Sequence, residues 1–256
     1  MTDIQEFRKL AESFGGVAAE YDQARPSYPQ ELFDELERLS GRGLRGARVL
    51  DVGAGTGIST RLLAGRGADV VGVEPSAGMA ARFLASGPGL ALVRGSGDDL
   101  PFHDRSADFV TYAQAFHWTD PERSVPEAVR VLRPGGALAA WWNVMDPDVP
   151  WVRASGDRER ALLPGAVRQF DELESAADQW RRLGLESATT VLRWERRTTV
   201  DDLVTDMSSR SYVAVLDEDR RRALLEGERE ALRAEFPDGL ITAPYLLDLT
   251  VAVVPG

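Results

Sequence analysis

Nine consecutive residues, Val49-Leu50-Asp51-Val52-Gly53-Ala54-Gly55-Thr56-Gly57, join an apolar run, a carboxylate and three alternating glycines. Short apolar runs of this kind make buried strands. The glycines let the backbone turn tightly and let a ligand lie against it with no Cβ in the way. A helix starting after such a turn points its first N–H groups into the same space. This arrangement at the carboxyl edge of an open α/β sheet is where nucleotide-like ligands bind. The turn alone does not choose the ligand, because nicotinamide and flavin enzymes use similar ones. Two carboxylates narrow the choice. Glu74 lies about twenty residues on, after a second apolar run, where its oxygens can accept from both hydroxyls of a ribose. Asp51 lies just before the glycines. It would repel a pyrophosphate, but it suits a cationic sulfonium ligand that carries an ammonium group, met directly or through water.

His117 is one of two histidines and follows the fourth apolar run, so it is the candidate general base. Loop orientation or cofactor contact are the alternatives at that position. Trp118 beside it can wall a reacting site or hold a cation against its ring; core packing would place it equally well. Tyr21, Arg25 and Tyr28 form a polar-aromatic cluster among prolines, in which an arginine and a tyrosine can hold a carboxylate. Trp141, Trp142, Asn143 and Met145, expected to follow the fifth strand, and the stretch Ser208 to Tyr212 are candidates for a substrate wall. In that stretch Arg210 could pair with a substrate carboxylate. His103 reads as a surface turn residue. No metal site is expected, because Asp146, Asp148 and His117 are dispersed in sequence.

These residues need a scaffold that delivers them to one edge. Strands are predicted at 48–52, 69–73, 90–93, 108–113 and 137–142. Between them helices are predicted at 58–64, 76–85, with Ser76 as its cap, and 125–132. Alternation of this kind implies a parallel, doubly wound sheet. Helices at 3–14 and 30–39 precede it, around a proline-rich loop. Beyond it come helices at 151–163, 170–183, 200–207 and 217–235, with strands at 189–195 and 246–254. The chain is therefore expected to be one domain. Residues 1–40 form a lid, 41–145 a cofactor-binding core, and 146–256 a substrate-side cap with the last two strands.

Composition removes other classes. The 256 residues, 43% of them hydrophobic, suit one α/β core. A net charge of −11 disfavours nucleic acid and anionic lipid as partners. The absence of cysteine excludes disulfides, thiol catalysis and thiolate-bound zinc. Lys9 is the sole lysine, so neither a catalytic Schiff base in the core nor a phosphate-loop lysine is available. A cytoplasmic location is expected, as no spanning or leader segment is visible.

The motifs resemble those of class I S-adenosylmethionine-dependent methyltransferases across residues 14–142. The glycine turn looks like their first motif, and Val71-Gly72-Val73-Glu74-Pro75-Ser76 with Met79 like their second. Arg94 to Phe102 is similar to their adenine-side segment, although Ser96 and Gly97 stand where Asp and Ala are usual. Leu132-Arg133-Pro134-Gly135-Gly136 matches the turn before the fifth strand. Phe14 to Pro29 and Gln114-Ala115-Phe116-His117-Trp118 are similar to the methyltransferase 11 or UbiE-like small-molecule group, near trans-aconitate methyltransferases. The resemblance implies a Rossmann-like seven-stranded sheet of order 3-2-1-4-5-7-6 with the last strand antiparallel. It implies S-adenosylmethionine as cofactor, held by Tyr21, Arg25, Asp51, Gly53, Ala54, Gly55, Gly57, Glu74, Pro75, Met79, Gly97, Asp98 and Gln114. It implies a small-molecule methyl acceptor beside His117, Trp118, Trp142, Asn143, Arg210 and Tyr212. Two other functions compete: a nicotinamide-dependent oxidoreductase, for which no hydride site is visible, and a cofactor-binding protein of this fold without methyl transfer.

Overall fold

The computed structural model describes residues 25–162, 174–210, 213 and 216–255. The predicted helix at 3–14, Tyr21 and Tyr212 lie outside the described residues. Helix α1 (Gln30–Ser40) buries Leu32, Phe33 and Leu36, and Gly41 stops it in the left-handed region at φ 65°. The core then alternates: β1 (Arg48–Val52), α2 (Ile58–Gly65), β2 (Asp69–Val73), α3 (Ala77–Ser86), β3 (Ala91–Val93), β4 (Ala107–Ala113), α4 (Pro121–Val131) and β5 (Leu132–Met145). The second half adds α5 (Pro150–Leu162), α6 (Ala176–Arg182), β6 (Ala188–Thr199), α7 (Val200–Ser208), α8 (Glu218–Glu235) and β7 (Leu240–Val253).

The seven strands form one sheet in the order β3-β2-β1-β4-β5-β7-β6, as the resemblance implied. Strands β1 to β5 run parallel, and β7 pairs antiparallel with both β5 and β6. Alternation along each strand sends side chains to two packed layers. On one face Val49, Phe109, Ala139, Trp141 and Leu249 meet Leu32, Phe33 and Leu36 of α1 and Leu63 of α2. On the other, Leu50, Val110, Tyr112, Leu138 and Ala140 meet Val125 and Ala128 of α4 and Trp180 of α6. A third cluster joins α7 and α8 to Ile241, Ala243 and Tyr245 of β7, with Trp151 of α5 against it. Arg158 of α5 donates to both carboxylate oxygens of the buried Glu228 on α8, at 2.8 and 3.0 Å, which fastens the helices of this cap.

Several boundaries differ from the sequence reading, among them the end of β6, which runs to Thr199 and not 195. Strand β5 starts at Leu132, not 137, and runs to Met145. The Pro134-Gly135 turn does not interrupt it, because Gly135 N donates to Val254 O at 3.0 Å and Val254 N to Gly136 O at 2.9 Å. The long partner β7 extends its far end, pairing Met145 with Tyr245. Trp142, Asn143 and Met145 therefore stand within the strand instead of in a loop after it. Helix α4 begins four residues before the predicted start, with Pro121 in its first turn and the Asp120 side chain accepting from Glu122 N at 3.1 Å. Strand β7 begins at Leu240, not 246, because β6 pairs with it over twelve positions.

The end of the sheet opposite the glycine turn is gathered by Asp108, at the start of β4. Its carboxylate accepts from Arg48 N at 2.9 Å, Arg42 Nη1 at 2.8 Å and Arg133 Nη1 at 2.9 Å. Burial alone would raise this pKa, but the Arg48 amide and the two guanidiniums outweigh it, and the group is held below its ordinary 3.8. Its contribution to stability is therefore present above pH 3.8 and lost as pH falls through the lower folded value. Chemical denaturation of an Asp108→Asn variant should show a loss of about 2 kcal/mol at pH 7, shrinking as the wild-type carboxylate protonates in acid. An equal loss at pH 7 and pH 3 would show that the charge is not what matters.

Candidate active site

The turn between β1 and α2 carries the site. Gly53, Gly55 and Gly57 have φ of 69°, 56° and 86°, all in the region that favours glycine. At Gly53 the space is also closed: a Cβ there would sit 2.5 Å from that of Ala115. At Gly57 it would lie 2.8 Å from the Phe83 ring of α3. The turn is pinned to β2 by Gly53 N and Ala54 N, which both donate to Val73 O at 2.8 and 3.1 Å.

Glu74 follows β2 and is 5% exposed. One carboxylate oxygen accepts from Gly55 N at 2.8 Å and the other from Ser76 N at 2.7 Å. A carboxylate offers about four lone-pair positions, so two neutral hydroxyls can still be accepted there. Burial raises its pKa, against the lowering effect of those two amides and the nearby Arg94. Arg94, next after β3, braces the same corner by donating to the carbonyls of Glu74 and Pro75. Ser76 caps α3 through Met79 N at 3.4 Å, as predicted, and the Met79 side chain is buried.

Asp51 is placed differently from a ligand-facing group. It shares the sheet face of Val49 and is fully buried. Its oxygens accept from Thr60 Oγ1 of α2 at 2.6 Å and Thr111 Oγ1 of β4 at 3.0 Å. The register pairs Asp51 with Thr111 directly. Burial pushes its pKa up to about 6, although the Thr60, Thr111 and Ser59 hydroxyls lower it. It ties β1, α2 and β4 together beneath the glycines. Neither threonine was singled out by the sequence reading. Their spacing from Asp51 follows from the strand register and the helix start, which no local pattern reveals.

Gly97 and Asp98 sit beyond β3. A Cβ on Gly97 would meet the Tyr112 hydroxyl at 2.8 Å, so only glycine lets the segment close on β4. Asp98 accepts from Asp120 N at 2.9 Å, joining this segment to the start of α4. The Tyr112 hydroxyl is buried with no hydrogen-bond partner among the described residues, and burial with the Asp98 and Glu127 charges raises its pKa. Gln114 follows β4 directly, with a φ of 56°, rare for a non-glycine residue and frequent at functional turns. Its N donates to Trp141 O and its side-chain amide to Asn143 O.

A short 3-10 turn at Phe116–Trp118 follows. His117 Nδ1 accepts from Trp142 Nε1 at 3.2 Å, and Trp118 lies against the imidazole at 4.8 Å between centroids. Asn143, on the opposite face of β5, accepts from Trp194 Nε1 at 2.9 Å through Oδ1. Tyr28 meets the buried Trp141 edge-on at 6.0 Å. The two candidate arginines are engaged in the cap. Arg25 donates to Ser209 Oγ at 3.3 Å and lies 3.5 Å from Asp206. Arg210 pairs with both oxygens of Glu159 at 3.2 Å and with Asp206 at 3.7 Å. Asp206 and Glu159 escaped the sequence reading because each sits in an amphipathic helix as one charge among many. Arg25, Ser27, Ile58, Arg61 and Leu62 line a cavity of about 180 Å³ at the start of α2. No group of metal-binding side chains occurs among the described residues. Nor is any described helix long and apolar enough to cross a membrane.

The family profile described as a methyltransferase domain matches residues 50–140. An uncharacterized methyltransferase of Mycobacterium tuberculosis is 36% identical over 238 residues, covering 88% of this chain and 87% of that protein. A demethylmenaquinone methyltransferase of Beutenbergia cavernae is 40% identical, over 67% of this chain and 76% of that one. A solved structure from Anaeromyxobacter dehalogenans, provisionally described as a type II methyltransferase, superposes with a TM-score of 0.65 at 25% identity, covering 91% of this chain and 99% of the other. The phosphoethanolamine N-methyltransferase 2 of Haemonchus contortus shares the fold at 17% identity, with a TM-score of 0.60, over 100% of this chain and 61% of that one. The fold is thus that of the Rossmann-like methyltransferases. The chain belongs to the class I S-adenosylmethionine-dependent methyltransferases, in the methyltransferase 11 or UbiE-like group.

Because the folded pKa of Asp51 lies above its ordinary 3.8, the neutral acid is favoured by folding. The stabilisation is complete below pH 3.8 and is lost as pH rises through about 6. Wild-type protein should therefore gain about 1 kcal/mol relative to an Asp51→Asn variant between pH 7 and pH 5. Thermal unfolding of both proteins at the two pH values measures this difference. Parallel pH dependence of wild type and variant would place the Asp51 titration elsewhere.

Proposed function

We propose that this chain methylates a small-molecule nucleophile, holding S-adenosylmethionine across the glycine turn with the ribose at Glu74. The observation that carries the reading is Glu74 itself: a buried carboxylate at the end of β2, set against Gly55 N and still able to accept two hydroxyls. In this reading Gly53, Ala54, Gly55 and Gly57 give the cofactor an unobstructed backbone surface. Pro75, Met79, Gly97 and Asp98 lie toward its adenine, and Gln114 toward its methionine portion. Asp51 supports that surface from beneath and contributes negative potential to a cationic ligand. Tyr21 is carried as a cofactor contact from the sequence alone, and Arg25 links the segment before α1 to the cap.

When bound, the cofactor supplies an electrophilic methyl on a sulfonium that leaves as a neutral thioether. The chain's part is alignment and exclusion of water. In this reading His117, Trp118 and Trp142 form the acceptor side beyond the end of β4, with Asn143 on the opposite face of β5. Arg210 lies in the cap, paired with Glu159 and Asp206, and Tyr212 is carried as a candidate acceptor contact from the sequence alone. The similarity to the Beutenbergia demethylmenaquinone methyltransferase supports a small organic acceptor. The net charge of −11 argues against a nucleic-acid substrate.

Calorimetric titration with S-adenosylmethionine, S-adenosylhomocysteine and NADH tests this assignment. Micromolar binding of the two sulfur compounds is expected, none of NADH, and a loss of about tenfold or more in a Glu74→Gln variant, which removes the charge while keeping the shape. Undiminished affinity in the variant would remove Glu74 from the cofactor site. A preference for NADH would sink the whole reading.

A further inference from the structure

The two nitrogens of a neutral imidazole have opposite roles: one carries the proton and the other offers a lone pair. The partner of either nitrogen decides which is which. An indole N–H is a donor only. With Trp142 Nε1 at 3.2 Å from His117 Nδ1, Nδ1 is the accepting nitrogen and the proton sits on Nε2. The two rings are 6.4 Å apart between centroids and inclined by 38°, so they meet through the N–H and not face to face. Burial keeps the imidazole neutral, its pKa pushed down to about 4.

The backbone explains why this indole is in place. The parallel pairing of β4 with β5 ends at Ala113 and Trp141. Strand β5 continues only because β7 pairs with it, which sets Trp142 opposite Asp248. Trp142 is thus the first β5 residue beyond the end of β4, on the sheet face where Phe116 packs, and the turn carrying His117 lies beside it. The same device recurs at Asn143. Trp194 occupies its acceptor oxygen, while its buried Nδ2 has no partner among the described residues.

We propose that Trp142 is a positioning residue that fixes His117 in the Nε2–H form, so that His117 does not act as a proton acceptor toward the methyl acceptor. The inference rests on the methyl-transfer reading above and deepens it. A neutral histidine whose lone pair is occupied takes no proton from the nucleophile. The acceptor therefore arrives with a lone pair already available.

Long-range proton–nitrogen correlation spectra of the full chain, labelled with nitrogen-15 in histidine and tryptophan and recorded at pH 7, test the proposal. The chain has two histidines, so a His103→Asn variant assigns the spectrum. His117 should show the Nε2–H pattern, with Nδ1 far downfield, and a nitrogen–nitrogen coupling to the Trp142 indole across the hydrogen bond. In Trp142→Phe, which keeps an aromatic ring and removes the donor, the coupling should vanish and the two nitrogen shifts should move toward each other as the tautomers mix. An Nδ1–H pattern in the wild type, or an unchanged Nε2–H pattern in the variant, overturns the proposal. If Trp142→Phe does not fold, the wild-type coupling decides: its presence supports the proposal and its absence overturns it. Titration of the same wild-type sample with S-adenosylmethionine reports separately on the underlying reading. Cofactor binding by a protein whose His117 is Nδ1–H would sink this inference alone.

Discussion

The reversal of chain direction between β1 and α2 is the constraint on which the site depends. Five residues must turn the backbone from strand to helix, and the turn is pressed by Ala115 on one side and Phe83 on the other. Side chains are excluded at Gly53 and Gly57 by contact as well as by backbone angle. Beneath the turn, Asp51 is held by hydroxyls from the next helix and the neighbouring strand. Burying that carboxylate costs stability when it is ionised, and the two hydroxyls recover only part of the cost. A negative charge kept under a backbone surface of this kind suits a cationic ligand lying on it.

The second half of the chain completes the sheet. Strand β7 pairs antiparallel with β5 and carries it past the end of β4, which moves Trp142 and Asn143 into ordered strand positions. Helices α5, α7 and α8 form a separate apolar cluster against the far end of β7. Charge ties this cap to the segment before α1: Asp206 lies between Arg25 and Arg210, and Arg210 reaches Glu159. These groups are mostly buried, so their pairing is specific in geometry, and removing one partner would strand the other. The segment before α1 is thus joined to α7 and its C-terminal end through Asp206 and Ser209.

Indole N–H groups recur as donors, to His117 and to Asn143. Trp142 fills the one lone pair of His117 Nδ1, and Trp194 donates to the Asn143 side-chain oxygen. Ambivalent groups in a low-dielectric site gain a defined role from such partners, because a buried polar atom left unpaired is costly. Both tryptophans also pack against the core, so their positions are set by burial before hydrogen bonding is considered.

Much of this was legible in the sequence, for local reasons. The glycine turn, Glu74 at the end of a strand and Ser76 as a cap depend on residues within a few positions of one another, and their types carry the backbone requirement with them. The alternation of strand and helix through residue 145 is likewise local, and the strand order followed from motif resemblance. Pairings distant in sequence were decided by the tertiary structure alone. The length of β5 is set by a partner about 110 residues later. The capture of Asp51 by Thr111 follows from strand register, and the engagement of Arg25 and Arg210 in the cap follows from helix packing. The role of His117 belongs to the same class. Its residue type offers both a donor and an acceptor, and only the placement of an indole by β7 selects between them.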